Sequence, residues 1–342
     1  MKRPTQLDVA NKAGVSRATV SYVVNSHPDG RVPISEETRL RVLQAVEELG
    51  YEPDARAQAL RSGNTKTIAF IITDIRNPHY ADYVVGIEQE ATSNCFHVLI
   101  SNTDLNTETG VDNFRDLTRQ RIDGLILASS FILGSTEAKT ILTRLVERKF
   151  PVVELSSWYG IDGVLSDYQE ATMEVMKHLF SLGHRRIGMV YGVSAHESAM
   201  DRLQPYLDSL QEAGIPYDPS LIVKDGPTLE DGYQAAIKLL SLPSRPTAIV
   251  AINDLLAFGV LRAAADQNLR IPDDLSVVSY DDIPMANYLV PRLTTVTKDA
   301  ENIGRKAFRM LLARIQDPSM PFQQFKIPAK LIIRESTGRA PE

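Results

Sequence analysis

The recognition chemistry nearest the start of the chain lies in Arg17, Ala18, Ser21, Tyr22 and Asn25. At about 100° per residue they share one arc of a helix that begins after Ser16, and Val20, Val23 and Val24 gather on the arc turned to a core. The outer arc offers a guanidinium, a hydroxyl, a phenol and an amide, groups that suit base edges and phosphates. Catalytic signatures are weaker. No Gly-x-Gly-x-x-Gly, phosphate loop or His-Glu-x-x-His occurs. Gly192-Val193-Ser194-Ala195-His196 approaches a nucleophile elbow but ends in histidine where a second glycine belongs. Cys95 is the one cysteine, which excludes an internal disulfide and a multi-cysteine zinc site. The expectation is a protein that is not an enzyme and uses no cofactor or metal.

Three helices must position that arc. Thr5 and Asp8 form a cap that opens a helix over 6–13, with Leu7, Ala10 and Ala13 inward. Gly14 breaks it, Ser16 caps the second helix, and a third runs from Ser35 to Gly50 with Leu43, Val46 and Leu49 at helical spacing. Periodicity fits a plain three-helix bundle and a helix-turn-helix equally. The net charge is −6, yet the first 25 residues hold Lys2, Arg3, Lys12 and Arg17 against Asp8 alone. A basic head fits a local anionic partner such as DNA, and a few solvated charges fit it too.

From Thr67 the pattern changes to short apolar runs between helical stretches: 68–72, 97–101, 124–128 and 151–155, then 187–191, 248–252 and 276–280. This predicts two open, parallel-sheet lobes with helices on both faces. Ligands of such sheets bind at the carboxyl ends of strands, which two facing lobes would place around a hinged cleft. A length of 342 residues with 43% hydrophobic and 23% charged residues suits two or three globular units. No apolar run nears the roughly 18 residues that span a bilayer, and no signal-peptide core opens the chain, so a cytoplasmic protein without a membrane partner is expected.

The residues themselves decide between the two head plans. Leu7-Asp8-Val9-Ala10, Ala13-Gly14-Val15-Ser16, Ala18-Thr19-Val20-Ser21 and Val23-Val24-Asn25, continuing through Ser35-Glu36-Glu37-Thr38-Arg39 and Leu49-Gly50-Tyr51-Glu52-Pro53, closely resemble the DNA-binding head of the lac repressor (LacI/GalR) family. The resemblance implies that Arg17 and Ala18 read bases, and that Thr5, Ser16, Thr19, Ser21 and Asn25 hold phosphates. Tyr22 departs from the Arg or His common at its position, so it implies either an unusual base preference or no readout there. Arg31, in a loop longer than the family's, reaches phosphate or sits in a solvated turn. Residues 55–61 match the family's hinge helix, in which Ala57 and Leu60 meet DNA and Leu60 wedges into a minor-groove step. Without the resemblance an ordinary linker fits equally.

The body resembles the family too, and with it the sugar-binding periplasmic proteins of the same two-lobe fold. The match runs through Ile72-Thr73-Asp74-Ile75-Arg76-Asn77-Pro78-His79-Tyr80, Leu182-Gly183-His184-Arg185-Arg186-Ile187, Ile252-Asn253-Asp254, Ser279-Tyr280-Asp281-Asp282 and Leu293-Thr294-Thr295-Val296. It implies an effector site of His79, Tyr80, Ser130, Ser156, Trp158, Arg202, Asn253, Asp281 and Lys298. Histidine is unusual at its position, and Ser156-Ser157 replaces a pair that is often Asp-Arg. Helix capping competes for Asn253, an ion pair near Asp201 for Arg202, and a core or interface role for Trp158 and Tyr159. His79, Arg202 and Lys298 would tolerate an anionic group, whereas Asp281 and the serines suit a neutral glycoside.

The fold class expected is an all-α helix-turn-helix head plus an α/β, two-lobed, periplasmic-binding-protein-like body with parallel open sheets. The head spans 1–52, the hinge helix and linker 53–65, and the effector-binding and dimerisation unit 66–342. Lobe one takes about 66–165 and 297–328, lobe two about 166–296 and 329–342. Implied partners are near-palindromic double-stranded operator DNA, a second copy in a homodimer, and a small effector, a sugar or sugar derivative. The implied role is a nucleoid-associated regulator, a repressor of carbohydrate or related catabolic genes. An intracellular sugar-binding protein without operator function is the rival.

Overall fold

The computed structural model describes residues 4–24, 34–52, 64–128, 135–155, 160–192 and 196–342, with 196–199 as backbone alone. Two compact units divide the chain, Met1–Thr65 and Lys66–Glu342.

In the first unit, α1 (Gln6–Ala13), α2 (Arg17–Val24) and α3 (Glu36–Leu49) enclose a core of Val9, Ala10, Ala13, Val20, Val23, Val42, Ala45 and Tyr51. Thr5 and Asp8 form a reciprocal capping box, and Gly14 ends α1 in the left-handed conformation at φ 66°, where a glycine carries no Cβ penalty. Two inward expectations fail. Leu7 is 57% exposed and Leu43 is 42% exposed, while their neighbours Val9 and Val42 are fully buried. The inner stripe is chosen by which small residues let three short helices approach, and the larger leucines lie one step off it.

The second unit holds two six-stranded sheets. The first contains β1 (Thr67–Ile72), β2 (His97–Asn102), β3 (Gly124–Ala128), β4 (Val152–Glu154), β5 (Asp162–Asp167) and β11 (Gln324–Pro328), in the order β11-β5-β4-β3-β1-β2, all parallel. The second contains β6 (Ile187–Tyr191), β7 (Ile222–Lys224), β8 (Ala248–Ala251), β9 (Ser276–Tyr280), β10 (Thr294–Thr297) and the antiparallel β12 (Lys330–Ile332), in the order β12-β10-β9-β8-β6-β7.

Side chains alternate across the first sheet with period two. Ile68, Phe70 and Ile72 pack with Ile126 against α4 (Ala81–Ser93) and α11 (Ala300–Gln316). Ala69 and Ile71 pack with Leu125 and Leu127 against α5 (Thr107–Arg119) and α6 (Thr136–Glu147). Burial on both faces explains the continuous apolar runs. Around the second sheet lie α7 (Gln169–Ser181), α8 (His196–Glu212), α9 (Leu229–Leu240) and α10 (Asp254–Asp266). A Cβ on Gly86 would lie 2.0 Å from the Glu301 carbonyl oxygen, so glycine is what lets α4 and α11 touch backbone to backbone.

The chain passes between sheets three times: between β5 and α7, between β10 and α11, and between β11 and β12. Among the described residues no helix is long and apolar enough to cross a membrane.

Candidate functional site

In the head, the sequence-implied DNA residues lie at or near the start of α2 and α1. Ser16, Arg17 and Ala18 are exposed, and Thr19, Ser21 and Tyr22 are half-buried. Local bonds hold this end of α2. The Ser16 hydroxyl accepts from the Thr19 backbone N–H at 3.1 Å and lies 2.9 Å from the Thr19 hydroxyl. Arg17 Nε donates to Gln6 Oε1 at 3.5 Å, so α1 steers the guanidinium without enclosing it. Thr5 serves its own capping box, donating to Asp8 at 2.7 Å from both its N–H and its hydroxyl. Asn25, Ala57 and Leu60 lie outside the described residues, as does Arg31.

In the body, the strand ends bring most of the implied effector residues together. His79 and Tyr80 form a short 3₁₀ turn after β1, with Asn77 accepting from the His79 N–H to start it. Asp281 follows β9, Lys298 follows β10, and Arg202 lies on α8. The His79 and Asp281 side chains approach to 2.9 Å (Nδ1 to Oδ1), joining an element of the first sheet to one of the second. Lys298 Nζ lies 3.2 Å from the same carboxylate oxygen and 3.3 Å from His79 Nε2. An ammonium has no lone pair, so Nε2 accepts and the imidazole proton sits on Nδ1, where it donates to Asp281. Burial lowers the pKa of His79 and outweighs the opposing pull of Asp281, so the ring is neutral near pH 7.

Burial alone would raise the Asp281 carboxyl, but His79, Lys298 and Arg202 overcome it and hold it well below the usual carboxylate range. Burial would likewise discharge Lys298, yet Tyr168, Tyr83 and Asp281 keep it protonated. Its Nζ donates to the Tyr168 hydroxyl at 2.6 Å. Arg202 stacks its guanidinium 4.0 Å from the Tyr168 ring centre and 5.3 Å from that of Tyr280, which is close enough for cation–π attraction. Its Nη1 is 3.8 Å from Asp201, and its buried Nε has no hydrogen-bond partner among the described residues.

Tyr80 sits edge-on to His79 at 5.0 Å, and its hydroxyl bonds Thr73. Asn253 is turned to local work: its oxygen accepts from the Leu256 N–H at 2.7 Å to cap α10, and its amide nitrogen donates to the Pro227 carbonyl at 3.4 Å. Ser130, Ser156 and Trp158 lie outside the described residues, as does Tyr159.

Sequence reasoning missed Tyr83 and Tyr168, quoted Tyr280 only inside a motif and named Asp201 only beside a competing ion pair. Tyr168 was missed because it follows β5, whose polar Asp162-Gly163 and Ser166-Asp167 ends hide a strand. Asp254 was quoted only inside a motif. It is buried, and it accepts from the Ser279 hydroxyl, from the Thr295 hydroxyl at 2.9 Å and from the Ile283 N–H at 2.7 Å. These three bonds tie β9, β10 and the turn in which Asp281 adopts φ 109°, a conformation that L residues rarely hold without such support. Burial, reinforced by Asp281, raises the Asp254 carboxyl to about 7.

A three-helix head with an exposed recognition helix, followed by a two-sheet body whose strand ends converge on a charged cluster, defines a ligand-responsive DNA-binding regulator. The comparisons agree. Residues 5–54 match the family described as bacterial regulatory proteins, lacI family, and residues 176–337 match the periplasmic binding protein-like domain. The ribose operon repressor of Haemophilus influenzae is 33% identical over 97% of this chain and 98% of its own length. Among solved structures, the lac repressor dimer bound to operator and the anti-inducer ONPF superposes with a TM-score of 0.85, at 27% identity over 98% of this chain and 100% of the other. A LacI-family transcriptional regulator from Enterococcus faecium with bound ribose gives a TM-score of 0.71, at 30% identity over 80% of this chain and 98% of the other. The chain belongs to the LacI family of transcriptional regulators.

Proposed function

We propose that this regulator acts as a homodimer on a near-palindromic operator and represses genes of carbohydrate or related catabolism under the control of a small effector in the interlobe cleft. The observation that carries the reading is the His79–Asp281–Lys298 cluster, because it joins the two sheets through groups a ligand would engage. A molecule that binds one lobe arrangement better than another shifts the population between them, and one that binds both equally shifts nothing. The ribose repressor among the relatives and the ribose-bound neighbour support a sugar or sugar derivative. Such a protein works in the cytoplasm, where its DNA partner lies.

The dimer is supported by exposed apolar side chains on the body. Met285, Tyr288 and Val290 are exposed after β9, as are Leu99 and Ile100 on the edge strand β2 and Val85 on α4. Exposed apolar surface of this kind marks interaction sites. Twofold symmetry in the protein predicts twofold symmetry in the operator.

Arg17 and Ala18 read bases and Tyr22 adjoins them, while Ser16, Thr19, Ser21 and Thr5 hold the backbone. Asn25, Ala57 and Leu60 complete the DNA contacts, and Ser130, Ser156 and Trp158 complete the effector site with Tyr80, while Asn253 caps α10. The test is selection of the purified chain on a randomised duplex library at stated salt, repeated with Arg17→Ala. A palindromic winner is expected, with the variant losing about 1–3 kcal/mol at one base position. A uniform loss across all sequences would make Arg17 a phosphate contact. Failure to enrich any sequence would favour a sugar-binding protein without operator function.

A further inference from the structure

The passages between the two sheets are one or two residues long. Tyr168 alone separates β5 from α7, Lys298 and Asp299 separate β10 from α11, and Ala329 alone separates β11 from β12. The three are tied at one level. The Ala329 N–H donates to the Asp167 carbonyl at 3.1 Å, and Lys298 Nζ donates to the Tyr168 hydroxyl at 2.6 Å. The first tie is backbone, open to almost any residue at those positions. The second depends on two particular side chains, both of them buried.

The Lys298 side chain also reaches the cleft. An ammonium has three hydrogens, and Lys298 shares its own among the Tyr168 hydroxyl, His79 Nε2 at 3.3 Å and Asp281 Oδ1 at 3.2 Å. His79 follows a strand of the first sheet and Asp281 a strand of the second, and the two also bond each other at 2.9 Å. Lys298 is thus joined to both lobes and to a passage between them. A ligand oxygen that engaged its ammonium would displace one of the three partners, and one that engaged Asp281 would compete with Lys298 and His79. Either event alters how the passages are tied.

Tyr168 fixes where that ammonium points. Its ring is braced independently of its hydroxyl: it lies edge-on to Tyr280 at 5.7 Å and 4.0 Å from the Arg202 guanidinium, and the Tyr280 hydroxyl is anchored to that of Thr172 on α7 at 2.8 Å. Removing the one phenolic oxygen would therefore release the ammonium without unpacking the ring.

We propose that Tyr168 is a positioning residue that couples the cleft to the interlobe hinge: by holding Lys298 across two passages it sets the relative arrangement of the lobes, so that occupancy of the cleft is read by the hinge directly. The inference rests on the proposed reading of the cleft as the effector site. Tyr168 acts through Lys298 and needs no contact with the ligand.

The test reads the distance between the lobes in the full chain. Spin labels at E108C and E230C, in the first turns of α5 and α9, in a C95S background are measured with unlabelled chain in excess, so that one copy is read at a time. Y168F keeps the ring and deletes the hydroxyl. It should enlarge the population with widely separated lobes by about three- to tenfold, the factor for one lost hydrogen bond. K298M should do the same, and Y168F/K298M should do no more than either alone, because both break one link. If Y168F melts early, K298M carries the measurement. An unshifted distance distribution would overturn the inference, including one accompanied by a lower melting temperature, which would make the hydroxyl a stabilising bond and nothing else. Additive effects of the two variants would overturn it as well.

Titration of the same variants with the duplex chosen by library selection separates this inference from the proposed function. A shifted distance together with a three- to tenfold change in operator affinity is the expected result, about the same hydrogen-bond factor. A shifted distance with unchanged affinity would leave the hinge role standing and remove the regulatory reading of the cleft. Changed affinity with an unshifted distance would overturn the inference and keep the regulator.

Discussion

Two buried arginines of the body differ in how completely they are answered. Arg314 on α11 has its guanidinium filled: it pairs with Asp162 at 2.8 and 3.1 Å and donates to the carbonyls of Pro318, Met320 and Pro321. Asp162 in turn accepts the Gln323 N–H at 2.9 Å. This network fastens the end of α11 and the turn leading to β11 onto β5, all within the first sheet's lobe. Arg202 lies among comparably buried groups, yet among the described residues its Nε is unpartnered and the carboxylate it pairs with, Asp201, is 3.8 Å away. An arginine that holds a fold is satisfied by the fold. Arg202 is answered more loosely, by the Asp201 carboxylate at 3.8 Å and by the Tyr168 ring 4.0 Å away.

The sharpest way to break that contrast is to remove Arg314. Arg314→Met strands the Asp162 carboxylate and several carbonyls, so a loss of about 3–5 kcal/mol is expected in denaturant unfolding. A loss under about 1 kcal/mol would show that the closed network is ornamental.

Asp254 offers a pH test of the scaffold under the cleft. Its folded pKa of about 7 lies above the unfolded value, so the native state binds more protons and stability falls as pH rises from about 4 to about 7, then levels off. The change attributable to this group is roughly 4 kcal/mol at most, since one pKa unit is about 1.4 kcal/mol. Asp254→Asn should remove that slope whatever it does to absolute stability. Parallel pH profiles for the variant and the parent would sink the assignment.

Asp281→Asn removes the counter-ion of Lys298, and a loss of about 1–3 kcal/mol is expected for leaving that ammonium unanswered. Adding Lys298→Met should recover part of it, giving a non-additive double-mutant cycle. Strict additivity would mean that the two groups do not act together. The smallest expected effect is that of Arg202→Gln on the ligand-free protein, within about 1 kcal/mol of the parent, because deleting this buried cation removes its desolvation cost along with its 3.8 Å pair to Asp201. A loss as large as that of Arg314→Met would erase the distinction between the two arginines.

Much of this architecture was legible along the chain because its causes are local. Caps at Thr5, Ser16 and Ser35 and left-handed stops at Gly14 and Gly50 depend on a few neighbouring residues. The apolar runs of β1, β3, β6, β8 and β9 follow from burial on both faces, which periodicity records directly. By contrast, β5 and β11 were missed, since Asp162 belongs to a buried network with α11 and since Gln324–Pro328 forms an exposed edge. Leu7 and Leu43 were misplaced because helical phase is set by the partner helix, which no single helix reveals.

The candidate site divides in the same way. The sequence alone determined which titratable residues follow strand ends, as His79, Asp281 and Lys298 do, and that Arg202 carries charge on a helix. It could not determine how those charges are shared. Lys298 meets His79 across 219 positions and Tyr168 across 130, so whether a cation is answered or left open depends on contacts made only after both lobes have formed. Tertiary structure made Asn253 a cap, enlisted Tyr168 and Asp254, and stacked Arg202 on Tyr168, because the pairing of buried charges is decided by distance in space and the order of residues along the chain does not contain that distance.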